Sequence, residues 1–266
     1  MPNTAIETSP LTTEADRALA AALIGLPSVR AVSLGGSRAL GLADATSDTD
    51  LYAWFEAPLD ASALRQAAIA GLADGGAVAL FDQFGPEDKF AIDGRLVEIV
   101  YLDLADINAS IEAATTVGLD GEVCATAFLH TAARGVPLAD PDGALAGLRD
   151  TLQTYPEATR AAQFANLPPM AEEFGSQLRG AQRRGDVLMV ARRRAALIDV
   201  VASLTFALNR RYHPGEKRLA VHLDACALRP DGLVERLQRA ATLPADDPAL
   251  PTAFESLIAE LVALGN

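Results

Sequence analysis

The chain has 266 residues, of which 50% are hydrophobic and 21% charged, a balance that excludes an intrinsically disordered protein and predicts one large domain or two smaller ones with real cores. The net charge is −13 and is unevenly distributed, since residues 1–110 carry 6 Lys and Arg against 16 Asp and Glu, whereas residues 111–266 carry 16 against 19. The acidic first part lacks the basic stripe that phosphate contacts require, so we expect no nucleic acid partner and favour a cationic or small neutral one.

The first 106 residues alternate between helix and strand signals. A Thr-x-x-Asp cap predicts an opening helix from residue 12 or 13 to about 24, and Asp93-Gly94 is the strongest hairpin signal of the chain. The other elements expected here are a strand over 28–34, a short helix to 42, a strand from 47 to 57, a helix over 59–72, a short strand over 77–81 and hairpin strands over 89–92 and 95–102. Together they predict a mixed α/β unit.

Beyond Asp106 the strand signals stop and helical periodicity takes over. Helices are expected over 107–114, 121–134, 142–152, 157–184, 186–211, 215–226, 232–241 and 251–264. Pro168-Pro169 is expected to split or kink the longest of them. The sequence therefore predicts an α+β protein, with an N-terminal mixed-sheet domain over residues 1–106 followed by an all-α C-terminal domain over residues 107–266.

Residues 34–38 (Leu-Gly-Gly-Ser-Arg) turn the first expected strand into a short helix. Free N–H groups at a helix N-terminus suit a phosphate, glycine allows close approach, and the Ser37 hydroxyl adds a donor. By itself this motif is more typical of a tight turn with a serine cap. The acidic motif that follows in the chain strengthens the phosphate-binding interpretation of this turn.

Residues 47–51 (Ser-Asp-Thr-Asp-Leu) place two carboxylates at the start of an apolar strand. Asp48 and Asp50 stand two positions apart and therefore point to one face, where like charges are unfavourable unless a cation lies between them. Mg²⁺ prefers such oxygen ligands together with substrate phosphates, and in a two-metal site both ions flank the phosphorus under attack. The alternative is a turn with Asp50 on a solvent face.

Glu98 supplies a third carboxylate within an otherwise apolar strand, residues 95–101. By parity it shares a face with Leu96 and Val100, which is unusual for a solvated glutamate. Beside the two aspartates it would ligate a metal or take a proton from an attacking hydroxyl. The other interpretation is simple exposure by strand alternation.

These three features together resemble the nucleotidyltransferase superfamily that includes DNA polymerase beta. The pattern of that superfamily is an apolar residue, Gly-Gly or Gly-Ser, a gap, Asp-x-Asp with apolar neighbours, and a third carboxylate on a later strand; residues 28–102 follow it. The helical part is similar to bacterial streptomycin/spectinomycin adenylyltransferases and their relatives, in residues 207–217 (Ala-Leu-Asn-Arg-Arg-Tyr-His-Pro-Gly-Glu-Lys).

The resemblance implies transfer of a nucleoside monophosphate from a nucleoside triphosphate, ATP in the first place, to a hydroxyl, with release of pyrophosphate. Asp48, Asp50 and Glu98 would hold two Mg²⁺ ions, and Glu98 would also act as the base. The cofactor-binding residues that it implies are Gly36, Ser37, Arg38 and Lys217.

The acceptor is expected to be a small molecule with a hydroxyl group, and the acidic first part favours a cationic one such as an aminoglycoside, which would connect the chain with antibiotic resistance. One rival is the same chemistry on a protein or RNA acceptor; another is a non-catalytic nucleotide sensor. Asp199 either binds a cationic substrate or, as the favoured alternative, pairs with an arginine of a neighbouring helix. The nucleotide base, the acceptor and the oligomeric state stay open.

Cysteine usage and hydropathy favour the cytoplasm. Cys124 and Cys226 match no metal-ligand or disulfide spacing, which favours a reducing compartment. Residues 1–7 lack the basic and apolar regions of a signal peptide. The richest apolar run, residues 195–208, is too short to span a bilayer, so no membrane partner is expected.

Overall fold

The computed structural model describes residues 12–44, 46–76, 78–82, 85–120 and 124–265. The chain divides into two compact units. The first comprises Met1–Ile111 and Thr131–Thr154, and the second comprises Glu112–His130 and Tyr155–Asn266. The chain thus leaves the first unit, returns to it for one segment and then completes the second.

The first part of the chain forms helices and strands close to those expected. They are α1 (Glu14–Ile24), β1 (Val29–Leu34), α2 (Gly36–Ala39), β2 (Thr49–Phe55), α3 (Ser62–Ile69), β3 (Val78–Asp82), β4 (Gly85–Ile92) and β5 (Arg95–Asp103). The predicted cap of α1 is confirmed as a capping box, in which Thr13 and Asp16 bond to each other's backbone N–H groups. The predicted hairpin is confirmed as well, with Asp93 and Gly94 both at positive φ, as a tight turn between antiparallel strands requires.

The rest of the chain is mainly helical. It forms α4 (Leu104–Thr116), α5 (Ala127–Arg134), β6 (Val136–Ala139), α6 (Ala144–Thr151), α7 (Glu157–Arg184), α8 (Val187–Leu208), α9 (Leu219–Asp224), α10 (Leu233–Thr242) and α11 (Ala249–Gly265). Pro168 and Pro169 do not split the longest helix, because α7 continues through both prolines. The sequence pattern also missed β6. Residues 121–123, where a helix was expected to begin, lie outside the described residues.

The six strands form one mixed sheet in the order β3-β4-β5-β2-β1-β6. Only β2 and β5 run parallel, and the other neighbouring pairs are antiparallel. The parallel pair arises because the chain leaves β2 through α3 and then returns by the β3-β4-β5 meander. The protein is therefore α+β. The domain division at residue 106 stays a prediction, and the compact units differ from it in that residues 131–154 return to the first one.

One face of the sheet carries the hydrophobic core of the first unit. Strand alternation sends Leu51, Ala53 and Phe55 of β2 and Val97, Ile99 and Tyr101 of β5 to this face. Leu19 and Leu23 of α1 and Ile69 of α3 pack there too. The opposite face is thereby left to the intervening residues of the same strands, Asp50 and Glu98 among them.

Buried charges in the first unit are paired. The guanidinium of Arg38 binds both carboxylate oxygens of Asp16, at 2.9 and 2.7 Å, and also donates to Thr49 Oγ1 at 2.5 Å. All three residues are at most 5% exposed. Likewise, Arg65 donates to Asp88 at 2.9 Å. The bidentate pair of Arg38 with Asp16, together with the hydrogen bond to Thr49, fixes α1, α2 and β2 relative to one another.

The second unit has its own core, built from helices. Its largest buried side chains come from α7, α8 and α11, such as Leu178, Phe206 and Phe254. Helices α7 and α8 form the most extensive helix–helix contact of this unit. The chain turns between them at Gly185, which has the left-handed αL conformation. Among the described residues, none of the helices combines the length and apolarity needed to cross a membrane.

The Asp16–Arg38 pair predicts a large effect of Asp16→Asn. Removing one partner leaves a buried guanidinium without its counterion, so we expect the free energy of unfolding to fall by about 3–5 kcal/mol. Urea denaturation of the variant and of Glu14→Gln, an exposed acid in the same helical turn, measures the difference. A loss for Asp16→Asn no larger than that of Glu14→Gln would contradict the role of the pair.

The same substitution has a defined pH dependence. Burial alone would raise the pKa of Asp16, but hydrogen bonds from Arg38 and Thr13 outweigh it and hold the pKa below its ordinary value of 3.8. The folded carboxylate therefore stabilises the protein fully above about pH 4, and this advantage fades as the pH falls through the folded pKa. The difference in free energy of unfolding between the native protein and Asp16→Asn is expected to narrow as the pH falls below about 4.

Candidate functional site

The three predicted carboxylates come together on the polar face of the sheet. Asp48 precedes β2, Asp50 is in β2 and Glu98 is in β5. Each offers one oxygen that lies within 4.8 Å of the others, and all three residues are half-buried. Among the described residues, this is the one such group of three or more His, Cys, Asp or Glu side chains. Strand parity does not account for Asp48, because β2 begins at Thr49.

Sheet register fixes this arrangement. Asp50 and Glu98 are direct partners in the parallel β2–β5 ladder, so their side chains leave neighbouring strands at the same height and on the same face. Two unit charges 4.8 Å apart repel by about 3 kcal/mol at an effective dielectric constant of about 20. Backbone hydrogen bonds hold the strands together against this repulsion, which a cation between the carboxylates would offset.

Gly35 and Gly36 make room for the cluster. Gly35 donates its N–H to the carbonyl of Asp50 at 2.8 Å. A Cβ on Gly36 would lie 1.7 Å from Asp50 Oδ2, and Gly36 also has a φ of +56°. Because both space and backbone conformation exclude a side chain, the glycine turn is part of the carboxylate site. The Gly-Gly and Asp-x-Asp motifs thus meet in space.

Tyr52 forms one side of the cluster. A Cβ on Gly35 would come within 2.1 Å of the Tyr52 ring, so the ring packs directly against that glycine. Burial, and next the negative charge of Asp50, raise the pKa of the Tyr52 phenol above its ordinary value of 10. The phenol is therefore neutral at physiological pH and adds no further negative charge to the cluster.

Two charged residues on the same face, Lys89 and Glu87, were not identified from the sequence. Lys89 Nζ lies 3.0 Å from Glu98 Oε1 and 3.1 Å from Glu87 Oε2. The hydrogen bond with Glu98 is the largest of the effects that raise the pKa of Lys89. Glu87 and Lys89 stand two positions apart, which indicates that they share a face of a strand. Only the pairing of β4 with β5 shows that Glu98 lies opposite Lys89.

The predicted cofactor-binding residues occupy different surroundings. Gly36 and Ser37 lie in α2, a single helical turn beside the carboxylates. This helix ends at Ala39 and is therefore shorter than the one expected to residue 42. Arg38 follows them but is 5% exposed, with its guanidinium on Asp16 and Thr49. Those contacts give Arg38 a structural role. Lys217 is an exposed residue of the second unit, in the segment that joins α8 to α9.

The donor set suits a hard divalent cation. Mg²⁺ and Mn²⁺ take oxygen ligands, and one or two carboxylates together with substrate phosphates are typical of magnesium in phosphoryl-transfer sites. Asp48, Asp50 and Glu98 supply oxygens from three side chains around one point. Half-burial leaves a side open for substrate. The residues present therefore fit the metal that the sequence resemblance implies.

Asp199 lies in a second acidic group, within the second unit. Burial, and then the neighbouring charge of Glu216, raise the pKa of Asp199 to about 6. Burial, and then the charges of Asp199 and Glu216, raise the pKa of the Cys124 thiol to about 11, so the thiol is protonated at neutral pH. The favoured pairing of Asp199 with an arginine is wrong for the described part of the chain, where no salt bridge joins them.

The arginines of α8 have structural contacts. Arg194 donates to the carbonyls of Ala241 and Leu243 and so caps the C-terminus of α10. Arg193 stacks over the ring of Phe174, with its Cζ 4.7 Å from the ring centroid. These contacts account for two of the three consecutive arginines within the second unit itself.

A family profile described as a domain of unknown function, DUF4037, matches residues 123–219. No curated protein matches. Among solved structures, the chain is similar to a nucleotidyltransferase-like protein from Exiguobacterium sibiricum 255-15, with 11% identity, coverage of 95% of this chain and 73% of that chain, and a TM-score of 0.43. At these values the likeness carries no argument about activity, so the proposal below depends on the site itself.

The contact between Gly36 and Asp50 predicts the effect of Gly36→Ala. The added Cβ would displace the Asp50 carboxylate, so we expect affinity for Mn²⁺, measured by calorimetry, to fall about 10-fold or more. Gly94→Ala is a matched control, since Gly94 also has a positive φ, of +72°, but its Cβ would meet nothing within 4 Å. Equal Mn²⁺ affinity of the two variants would contradict the steric role of Gly36.

The raised pKa of Asp199 predicts that Asp199→Asn stabilises the protein at neutral pH. A carboxyl with a folded pKa of about 6 and an ordinary value of 3.8 destabilises the folded state increasingly as the pH rises between these values. With a discount for partial exposure, the gain is about 1–2 kcal/mol at neutral pH and vanishes near pH 4. Urea denaturation at both pH values, with the exposed Asp246→Asn as control, measures it. A gain that does not depend on pH would contradict the assignment.

Proposed function

We propose that the protein is a magnesium-dependent nucleotidyltransferase, which transfers a nucleoside monophosphate from a nucleoside triphosphate to a hydroxyl group of a small molecule. The observation that supports this most is the convergence of Asp48, Asp50 and Glu98 beside the glycine turn. Two carboxylates alone are common on protein surfaces. Two on paired strands and a third directly before one of them, beside a turn that excludes side chains, are far more specific.

In the proposed reaction the acceptor hydroxyl attacks the α-phosphorus of the triphosphate. A bond forms between the hydroxyl oxygen and phosphorus, the bond from phosphorus to the bridging oxygen of the β-phosphate breaks, and pyrophosphate leaves. Glu98 accepts the hydroxyl proton. Magnesium, when bound, neutralises the charge that develops on the phosphate oxygens.

The remaining roles follow from the side chains around the cluster. Asp48 and Asp50, with Glu98, hold the cation in place, and the fixed strands preorganise them, so little reorganisation is needed during the reaction. Gly36 and Ser37 are proposed to contact the triphosphate, because the absence of side-chain bulk at residues 35 and 36 lets phosphate oxygens approach the backbone. Lys217 is proposed as a further phosphate contact, on the sequence resemblance alone. Arg38 is left out of this set.

The acceptor is proposed to be cationic. Residues 1–110, which carry the cluster, have 16 acidic against 6 basic residues, and a field of this sign concentrates cations and repels polyanions such as RNA. Aminoglycosides combine several amines with hydroxyl groups and therefore meet both requirements. We propose the cytoplasm as the compartment, where nucleoside triphosphates and magnesium are present.

The direct test is pyrophosphate release by the full-length protein with Mg²⁺, each of the four common nucleoside triphosphates and a panel of aminoglycosides and neutral polyols. Asp50→Asn is expected to lower the rate by about 100-fold or more, because one metal ligand and one negative charge are lost. Asp93→Asn is the matched control: it makes the same chemical change at an exposed turn residue of the same unit and should leave the rate unchanged.

Two outcomes would overturn the proposal. Tight binding of a triphosphate without turnover on any acceptor would indicate a nucleotide sensor instead. Full activity of Asp50→Asn would remove the carboxylate cluster from the mechanism. Turnover on a protein or RNA acceptor alone would keep the chemistry and replace the small-molecule acceptor.

A further inference from the structure

Lys89, Glu98 and Asp50 form a row across three adjacent strands. Lys89 of β4 is the direct antiparallel partner of Glu98 in β5, and Glu98 is the direct parallel partner of Asp50 in β2. Their side chains therefore stand at the same height on one face of the sheet. Glu98 is the middle member, with a cation on one side and a carboxylate on the other.

Lys89 itself is held from two directions. Its ammonium lies 3.0 Å from Glu98 Oε1 and 3.1 Å from Glu87 Oε2. The side chain of Glu87 is 4% exposed, that of Glu98 21% and that of Lys89 30%. These contacts are more shielded from water than an ordinary surface ion pair, so they restrict the side chains more. Glu87 anchors the lysine, and the lysine anchors one oxygen of Glu98.

Glu98 needs such an anchor. Without a cation nearby, repulsion from Asp48 and Asp50 would favour a side-chain rotamer that turns the carboxylate away from them. A glutamate has three side-chain torsions, so a rotation out of the cluster is sterically easy. The ion pair with Lys89 opposes this rotation, because moving Glu98 away would break a charge-assisted hydrogen bond.

We propose that Lys89 is a positioning residue, which holds the Glu98 carboxylate where Glu98, Asp48 and Asp50 together bind a divalent cation. Lys89 acts through Glu98 and takes no part in bond making. The proposal deepens the function given above and rests on it only for the consequences in turnover. Its effect on metal binding is independent of any nucleotide or acceptor.

An alternative role for Lys89 predicts the opposite change in cation affinity. If Lys89 merely competed with the metal for Glu98, removal of its positive charge would strengthen cation binding. If it positions Glu98, removal weakens cation binding, because the ligand is no longer held in place. Partners that orient metal ligands are typically worth about 10–100-fold in affinity or activity. The sign of the change therefore separates the two roles.

The test is calorimetric titration of the full-length protein with Mn²⁺ alone. Lys89→Met, which keeps the aliphatic chain, is expected to weaken binding about 10-fold, and Lys89→Arg is expected to regain most of the loss. Glu98→Gln weakens binding by itself, and adding Lys89→Met to it should cause no further loss, since the lysine acts only through Glu98. Glu87→Gln, which loosens the lysine without removing it, should give a smaller loss that also disappears in the Glu98→Gln background.

Three results would overturn the proposal: tighter Mn²⁺ binding by Lys89→Met, unchanged binding, or an equal loss with and without Glu98. Arg30→Met is the control for a general effect of removing a strand cation, because Arg30 of β1 pairs with Glu56 at 2.9 Å on an exposed surface. It should leave Mn²⁺ binding unchanged. Should Lys89→Met not fold, the Lys89→Arg and Glu87→Gln variants decide the question by the same comparison.

Turnover supplies a separate readout. With pyrophosphate release as the assay, Lys89→Met should lower kcat about 10-fold or more and change the KM for the triphosphate little. If the native protein binds Mn²⁺ but turns over no triphosphate, the proposed function fails, while the Mn²⁺ series still decides the role of Lys89. If the native protein binds no Mn²⁺, both proposals fail.

Discussion

Sheet register is the constraint on which the acidic site depends. Asp50 and Glu98 are brought to one height by the parallel pairing of β2 with β5, and the repulsion between them is opposed by a ladder of backbone hydrogen bonds rather than by the side chains themselves. A shift of one residue in either strand would send one carboxylate into the hydrophobic core and a core residue into the site. The apolar packing of Leu51 and Ile99 on the far face therefore stabilises the site indirectly.

Local features of the sequence predicted most of this fold. The cap of α1, the Asp93-Gly94 turn and the full extent of α7 depend on short-range chemistry, namely side-chain capping, positive φ and helical periodicity. The site was predictable for a related reason. Parity predicted that Asp48 and Asp50 point to one side. The resemblance to the nucleotidyltransferase superfamily placed Glu98 beside them and gave meaning to the spacing of the glycine turn.

Features that depend on distant partners could not be predicted in this way. Nothing local marks Arg38 as buried, because its partner Asp16 lies 22 residues earlier in a helix that packs beside it. Lys89 is an ordinary strand lysine until the β4–β5 pairing puts Glu98 opposite. The same holds for β6, a strand of four residues whose pairing with β1 alone makes it part of the sheet. Asp199 was expected to pair with an arginine of a neighbouring helix, but the charge that acts on it in the structure is that of Glu216, more than ten residues later in the chain.

The return of residues 131–154 to the first unit has a consequence for biosynthesis. A ribosome releases the chain from its N-terminus, so β1, which is followed by the glycine turn, emerges early. Its second neighbour, β6, ends at Ala139, and until then one edge of β1 exposes unpaired backbone groups that other strands could join. The first unit is thus completed only after the intervening residues 112–130, which belong to the second unit, have been made.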